Sequence, residues 1–157
     1  MHVEVEPINA DAEQDGLVSA DVRADVESVL RGAGMGVHTP SRLFADVPGT
    51  PVLHVDVMTV RLDGRYAYSL RLELWQGVRL TREPSPSALA LTWSAAQIVG
   101  TVPAESLTEL RPTIRSAAQD FVEECRIATA AQPSGTAPPG GPDTSRPRPG
   151  ASSSGWG

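Results

Sequence analysis

Asp63-Gly64 stands between two long alternating runs, PVLHVDVMTVRL before it and RYAYSLRLELWQGVRL after it, and no other feature constrains the chain as much. A two-residue turn matched to the twist of its flanking strands needs positive φ at both central positions, which Asp and Gly supply. The stretch therefore predicts an antiparallel hairpin. In the return strand Tyr66, Tyr68, Leu70, Leu72, Leu74, Val78 and Leu80 share one face, while Arg65, Ala67, Ser69, Arg71, Glu73, Trp75, Arg79 and Thr81 share the other. In the leading strand Leu53, Val55 and Val57 are apolar in one phase, and Met58, Val60 and Leu62 in the other. That change predicts a bulge near Val57 or a strand covered on both faces.

His2 to Glu6 alternates valine with glutamate, the pattern of a strand with one wet face, and Pro7 closes it or sets it beside an edge. Ser19 is placed to cap a helix through Val22, Val26, Val29 and Leu30, which Gly32 and Gly34 end. Met35 to His38 reads as a short strand, and TPSRLFADVPGTP as a surface crossing that tucks Leu43 and Phe44 against the core. After a turn at Glu83-Pro84-Ser85-Pro86, Leu89, Leu91 and Trp93 alternate in a strand antiparallel to the long one, with Ile98 and Val99 continuing toward Gly100. Ser106 to Glu109 has capping-box spacing ahead of a closing helix striped by Leu107, Leu110, Ile114, Ala117, Ala118, Phe121, Val122 and Cys125. Pro112 lies a turn inside, so either the first turn is irregular or the continuous helix begins near Arg111. The expected class is α+β, in the order β-α-β-β-β-β-α. Two helices pack on one face of a mostly antiparallel sheet of four to five strands, and the opposite sheet face is left wet.

Residues 1–130 form the expected domain. Residues 131–157 are dominated by Pro, Gly, Ser and Thr, with no apolar period to offset the entropy of ordering, and read as a disordered tail. The net charge of −6 and a pI near 5.0 argue against a protein whose main affinity is for phosphate backbones. A single cysteine, Cys125, excludes an internal disulfide and a cysteine-based metal cluster, and its place on the apolar stripe reads as an inert buried thiol. No apolar run is long enough to span a bilayer, and MHVEVEPIN enters strand alternation with no leader, so the chain reads at face value as unexported. No cofactor or metal motif is present. Gly32-Ala-Gly34-Met-Gly36 follows a helix, whereas a phosphate loop must precede one, and no glycine-flanked serine elbow occurs.

Three functional readings compete. Arg71, Glu73, Trp75 and Arg79, on the second face of the long strand, are candidate contact residues for a protein partner or a second copy, and unpaired sheet edges offer a further route. His54 and Asp56 lie two apart on one strand face and would serve a small-ligand binder or hydrolytic enzyme under the Leu43-Phe44 loop. The same arginines and tryptophan would stack single-stranded nucleic acid, against which stand the intervening Glu73 and the acidic balance.

Taken together, DGLVSADVRADVESVLRGAGMGV, PVLHVDVMTVRLDGRYAYSLRLELWQGVRL, LALTWSAAQIVGTV and ELRPTIRSAAQDFVEEC resemble a group of small uncharacterised, usually exported bacterial proteins. These share a DGL-initiated helix, a DGxYAYS hairpin strand, a TWS strand and a closing amphipathic helix, and the resemblance covers about residues 3 to 128. At fold level the arrangement is also similar to the α/β domain at the start of TolB and in the curli-assembly lipoprotein family. The resemblance implies a protein-contact or oligomerisation element of the periplasm or cell envelope, and the favoured reading is a non-enzymatic module without a cofactor. This chain departs from the exported group in its leaderless start and its long Pro/Gly tail.

Overall fold

The computed structural model describes residues 1–38, 50–79 and 87–131, with only the backbone of Arg79 and Ser87 included. The elements are β1 (His2–Val5), α1 (Ala10–Gln14), α2 (Ser19–Gly32), β2 (Val52–Leu62), β3 (Arg65–Arg79), β4 (Ser87–Ser94), β5 (Ile98–Pro103) and α3 (Leu110–Ala130). They form the expected α+β arrangement, a mostly antiparallel five-stranded sheet with helices against one face. β1 lies parallel to β2, β2 and β3 are antiparallel, and β4 and β5 share the other edge of β3. The Leu43-Phe44 crossing, the turn before Ser87 with Leu80, the tail from Gln132 and the side chain of Arg79 lie outside the described residues.

The hairpin forms where the sequence places it. Asp63 and Gly64 both take positive φ, 46° and 75°, and the register runs unbroken from Leu62 opposite Arg65 to Val52 opposite Trp75. A β-carbon at Gly64 meets no neighbour, so Gly64→Ala is costly only through its backbone conformation. That variant is expected to lower stability by about 1 kcal/mol, read from the urea midpoint at constant m.

Packing follows the alternation. Leu53, Val55, Val57, Leu70, Leu72 and Leu74 face the helices and are buried, together with Val3 and Val5 of β1. Val22, Val26 and Leu30 of α2, and Ile114, Ala118 and Phe121 of α3, close the core from the other side. Tyr66 is also buried. Its hydroxyl donates to Asp15 Oδ2 at 2.8 Å, and Arg61 reaches the same oxygen at 3.1 Å while lying over the Tyr66 ring. Burial, reinforced by the Asp15 carboxylate, pushes that phenol above the usual tyrosine range.

Several local expectations are corrected. Met35 to His38 is not a strand; the segment instead pins the amino terminus, with the Met1 ammonium on Gly36 O and His38 N–H on Met1 O, each at 2.9 Å. Asp11 to Gly16 has the polar composition of a loop, yet its first residues, to Gln14, belong to the short helix α1, held by the buried Ala12 and by Asn9, which donates to Thr59 O. Ser19 is the first helical residue rather than the cap: its hydroxyl accepts from Ile8 N–H and donates to Glu13. Ser106 to Glu109 lies in a 3-10 turn, Ala104–Glu109, so the capping box does not form. α3 starts at Leu110 with Pro112 in its first turn, where the missing N–H costs nothing. Cys125 is half-buried rather than buried, and desolvation, with the Glu124 carboxylate second, raises its thiol above the usual range.

The bulge lies elsewhere than expected. β2 is regular at Val57, and the irregularity falls between Leu74 and Trp75 of β3, where Thr92 of β4 is the extra residue. Trp93 therefore pairs with Leu74 and turns inward onto Phe121, while Leu91 pairs with Trp75 and Leu89 with Gly77, turning outward. A second interruption at Ala95 to Gln97 separates β4 from β5 and is tied down by Ala95 N–H on Leu72 O.

Candidate functional site: the open face of the sheet

The sheet face turned away from the helices collects every second residue of each strand, and register fixes their neighbours. Across β2 and β3, Val52 stands opposite Trp75, His54 opposite Glu73, Asp56 opposite Arg71, Met58 opposite Ser69 and Val60 opposite Ala67. Glu4 of β1 lies beside His54, and Val99 of β5 beside Ser69. The face has three zones along the strands: an apolar end near the hairpin, a charged belt, and a second apolar end around Trp75 and Leu91.

The belt carries two groups of close contacts, one around His54 and one around Glu73. His54 Nε2 lies 3.0 Å from Glu4 Oε2, and its Nδ1 lies 3.3 Å from Glu6 Oε1. A neutral imidazole has one N–H, so only the doubly protonated ring donates to both carboxylates. Arg71 Nη1 is 3.6 Å from Glu73 Oε1, and Trp75 Nε1 donates to Glu73 Oε2 at 3.2 Å. Glu6, Pro7, His54, Asp56, Arg71 and Glu73 line a shallow open depression of about 380 Å³. Among the described residues no group of three or more His, Cys, Asp or Glu is arranged to hold a metal ion.

The apolar ends are the finding that the sequence pattern conceals. Met58, Val60 and Leu62 are 62, 57 and 60% exposed, and Val99 is 69% exposed. Their phase, opposite to that of Leu53, Val55 and Val57, reflects neither a bulge nor a strand covered on both sides. It is an apolar stripe facing solvent beyond the charged belt.

Arg71, Glu73 and Trp75 thus meet on one face as expected. Arg79 continues the same strand at the Trp75 end, paired through its backbone with Ser87. His54 and Asp56, which the sequence offers as a separate ligand site, stand directly beside Glu73 and Arg71, so the two candidate sites are one. Glu4 and Glu6 were not legible as site residues, because their contact with His54 depends on β1 pairing with a strand some fifty residues away.

No protein-family profile and no curated protein sequence matches this chain. Among solved structures it is similar to a minor lipoprotein from Acinetobacter baumannii, at 11% identity over 83% of this chain and 92% of that one. The TM-score of 0.32 is too low for that likeness to support an argument. No helix of the described residues is long and apolar enough to cross a membrane.

Proposed function

We infer that the chain is a non-enzymatic protein-interaction or assembly module that acts through the open face of its sheet. The supporting observation is the run of exposed apolar side chains, Met58, Val60, Leu62 and Val99, on a surface that ordinary packing would leave polar. Trp75 and Leu91 supply a second apolar anchor, and Arg71 a directional charge between the two, the composition typical of contact surfaces. A cell-envelope setting rests on the sequence resemblance alone.

The belt disfavours a polyanion, because Glu4, Glu6, Asp56 and Glu73 outnumber Arg71. The His54–Asp56 reading keeps one supporting observation, the depression that both residues line. Its open, carboxylate-rich floor fits a macromolecular surface better than an enclosed small-ligand site.

The test is cross-linking and recovery of bound protein by the full chain in cells of a bacterial host, compared with Trp75→Ala and Val60→Asp. Both variants are expected to lose the adduct, whether the bound protein is another molecule or a second copy. Recovery unchanged in both variants would remove the open face from the function.

A further inference from the structure

We propose that the occupant of the open face is a second copy of the chain, seated face to face about a twofold axis parallel to the strands, between β2 and β3. The inference deepens the interaction-module reading and rests on it.

A twofold interface brings the same patch of both subunits together, so whatever faces a residue across it must already lie on that patch. With the axis between β2 and β3, each β2 residue meets the β3 residue level with it. The register puts His54 level with Glu73 and Asp56 level with Arg71. Across the interface His54 of one copy then faces Glu73 of the other, and Asp56 faces Arg71, each contact made twice. The two Asp56–Arg71 contacts join opposite charges between the copies, and His54 stands as a hydrogen-bond partner for Glu73.

The apolar rows agree. Met58 meets Ser69 and Val60 meets Ala67, a large side chain against a small one, which is how two sheet faces interdigitate about 10 Å apart. A twofold perpendicular to the strands, centred between His54 and Asp56, would also join the opposite charges of Arg71 and Glu73 and set His54 beside Asp56. It would, however, carry Val60 and Leu62 past the beginning of β2 at Val52 and leave them uncovered. The parallel axis covers Met58 and Val60 and sets Leu62 against the stem of Arg65.

The area suits a weak dimer. β2 has 11 residues, so at about 3.3 Å per residue the facing β2–β3 strip is about 36 Å long and, at about 4.8 Å per strand, about 10 Å wide, and β1 with its 4 residues widens it only at the Val52 end. The resulting flat area of about 500 Å² per copy, about 1,000 Å² in all, lies at the low end of specific interfaces, where association is weak enough to follow from micromolar to millimolar concentration.

A charge-swap experiment on the full chain tests the geometry. In Asp56→Arg both members of one row are basic, and in Arg71→Asp both are acidic, so each variant alone opposes itself twice at the twofold. Sedimentation equilibrium from micromolar to millimolar concentration is expected to show wild-type mass rising from 16.6 kDa to twice that value. Each variant alone should self-associate about 100-fold more weakly, tenfold for each symmetry-related row. Mixed in equal amounts the variants should form a heterodimer, since the introduced arginine then faces the introduced aspartate and Arg71 faces Asp56. Circular dichroism of each variant should match wild type, as both positions are on the surface.

A wild-type chain that stays monomeric throughout overturns the proposal, as do variants that dimerise alone or fail to pair when mixed. If that happens while Trp75→Ala still abolishes recovery of a different protein in cells, the interaction-module reading stands and only the second copy is lost.

Discussion

Replacing Phe121 by alanine is expected to lower the folding free energy by about 3–5 kcal/mol, the largest loss from any single truncation considered for this chain. Phe121 is fully buried, on the α3 face turned to the sheet, and its ring meets Trp93 edge-on, with centroids 4.8 Å apart and an interplanar angle of 61°. The loss has three parts: the transfer free energy of the ring, the cavity left in a close-packed layer, and the aromatic pair itself. Trp93 is inward only because Thr92 is bulged, so the packing of α3 and the irregularity at the sheet edge depend on one another. Urea unfolding followed by near-ultraviolet circular dichroism reports both, since the tryptophan band should collapse with the midpoint. Ile127→Ala, six residues along the same helix at a 61% exposed position, should change stability by no more than about 0.5 kcal/mol. Comparable losses for the two variants would mean that the face of α3 is misassigned.

The features legible in the sequence are those fixed within a few residues. Asp63-Gly64 specifies its turn because the positive φ values belong to those two residues, and the alternation of β3 specifies its buried face because the pleat has a period of two. What escaped depends on partners remote in the chain. Nothing in LALTWS shows that Thr92 is the extra residue, since a bulge is a mismatch between two strands and not a property of one. Met58, Val60 and Leu62 alternate as correctly as a buried run would. Only the lack of a covering layer among the described residues, which no single strand shows, makes them a surface. Ser106 and Glu109 have the right spacing for a cap, yet the tight turn that carries them past Leu107, which is buried, takes the segment out of the α-helix. The candidate site was legible to the same degree: Arg71, Glu73 and Trp75 share a strand, whereas joining them to His54 requires the β2–β3 register and adding Glu4 and Glu6 requires β1.

Asp25→Asn is expected to cost about 1–3 kcal/mol at neutral pH, with nearly all of that difference gone in strong acid. Asp25 is a carboxylate on the buried side of α2, and α3 answers it with two arginines: Arg111 Nε at 2.6 Å and Arg115 Nη1 at 3.5 Å, while Arg111 also reaches Asp21 at 3.1 Å. This cluster is the polar clamp between the two long helices, set 86 residues apart in the chain. The hydrogen bond from Arg111 is the main cause that lowers the Asp25 pKa below its ordinary value; burial opposes it, and the charges of Arg111 and Arg115 add to the lowering. A depressed folded-state pKa means that the unfolded chain takes up the proton first. The stabilisation is therefore complete above the unfolded value near 3.8 and is lost as pH falls through the lower folded value. Wild type and Asp25→Asn should accordingly differ at pH 7 and converge well below pH 3.8, because the protonated wild-type carboxyl and the amide are then both neutral. Glu123→Gln, which breaks only the exposed pair with Arg126, should lie within about 0.5 kcal/mol of wild type at neutral pH. A constant gap between wild type and Asp25→Asn down to strong acid would show that the asparagine disturbs packing rather than charge, and the clamp would lose its electrostatic explanation.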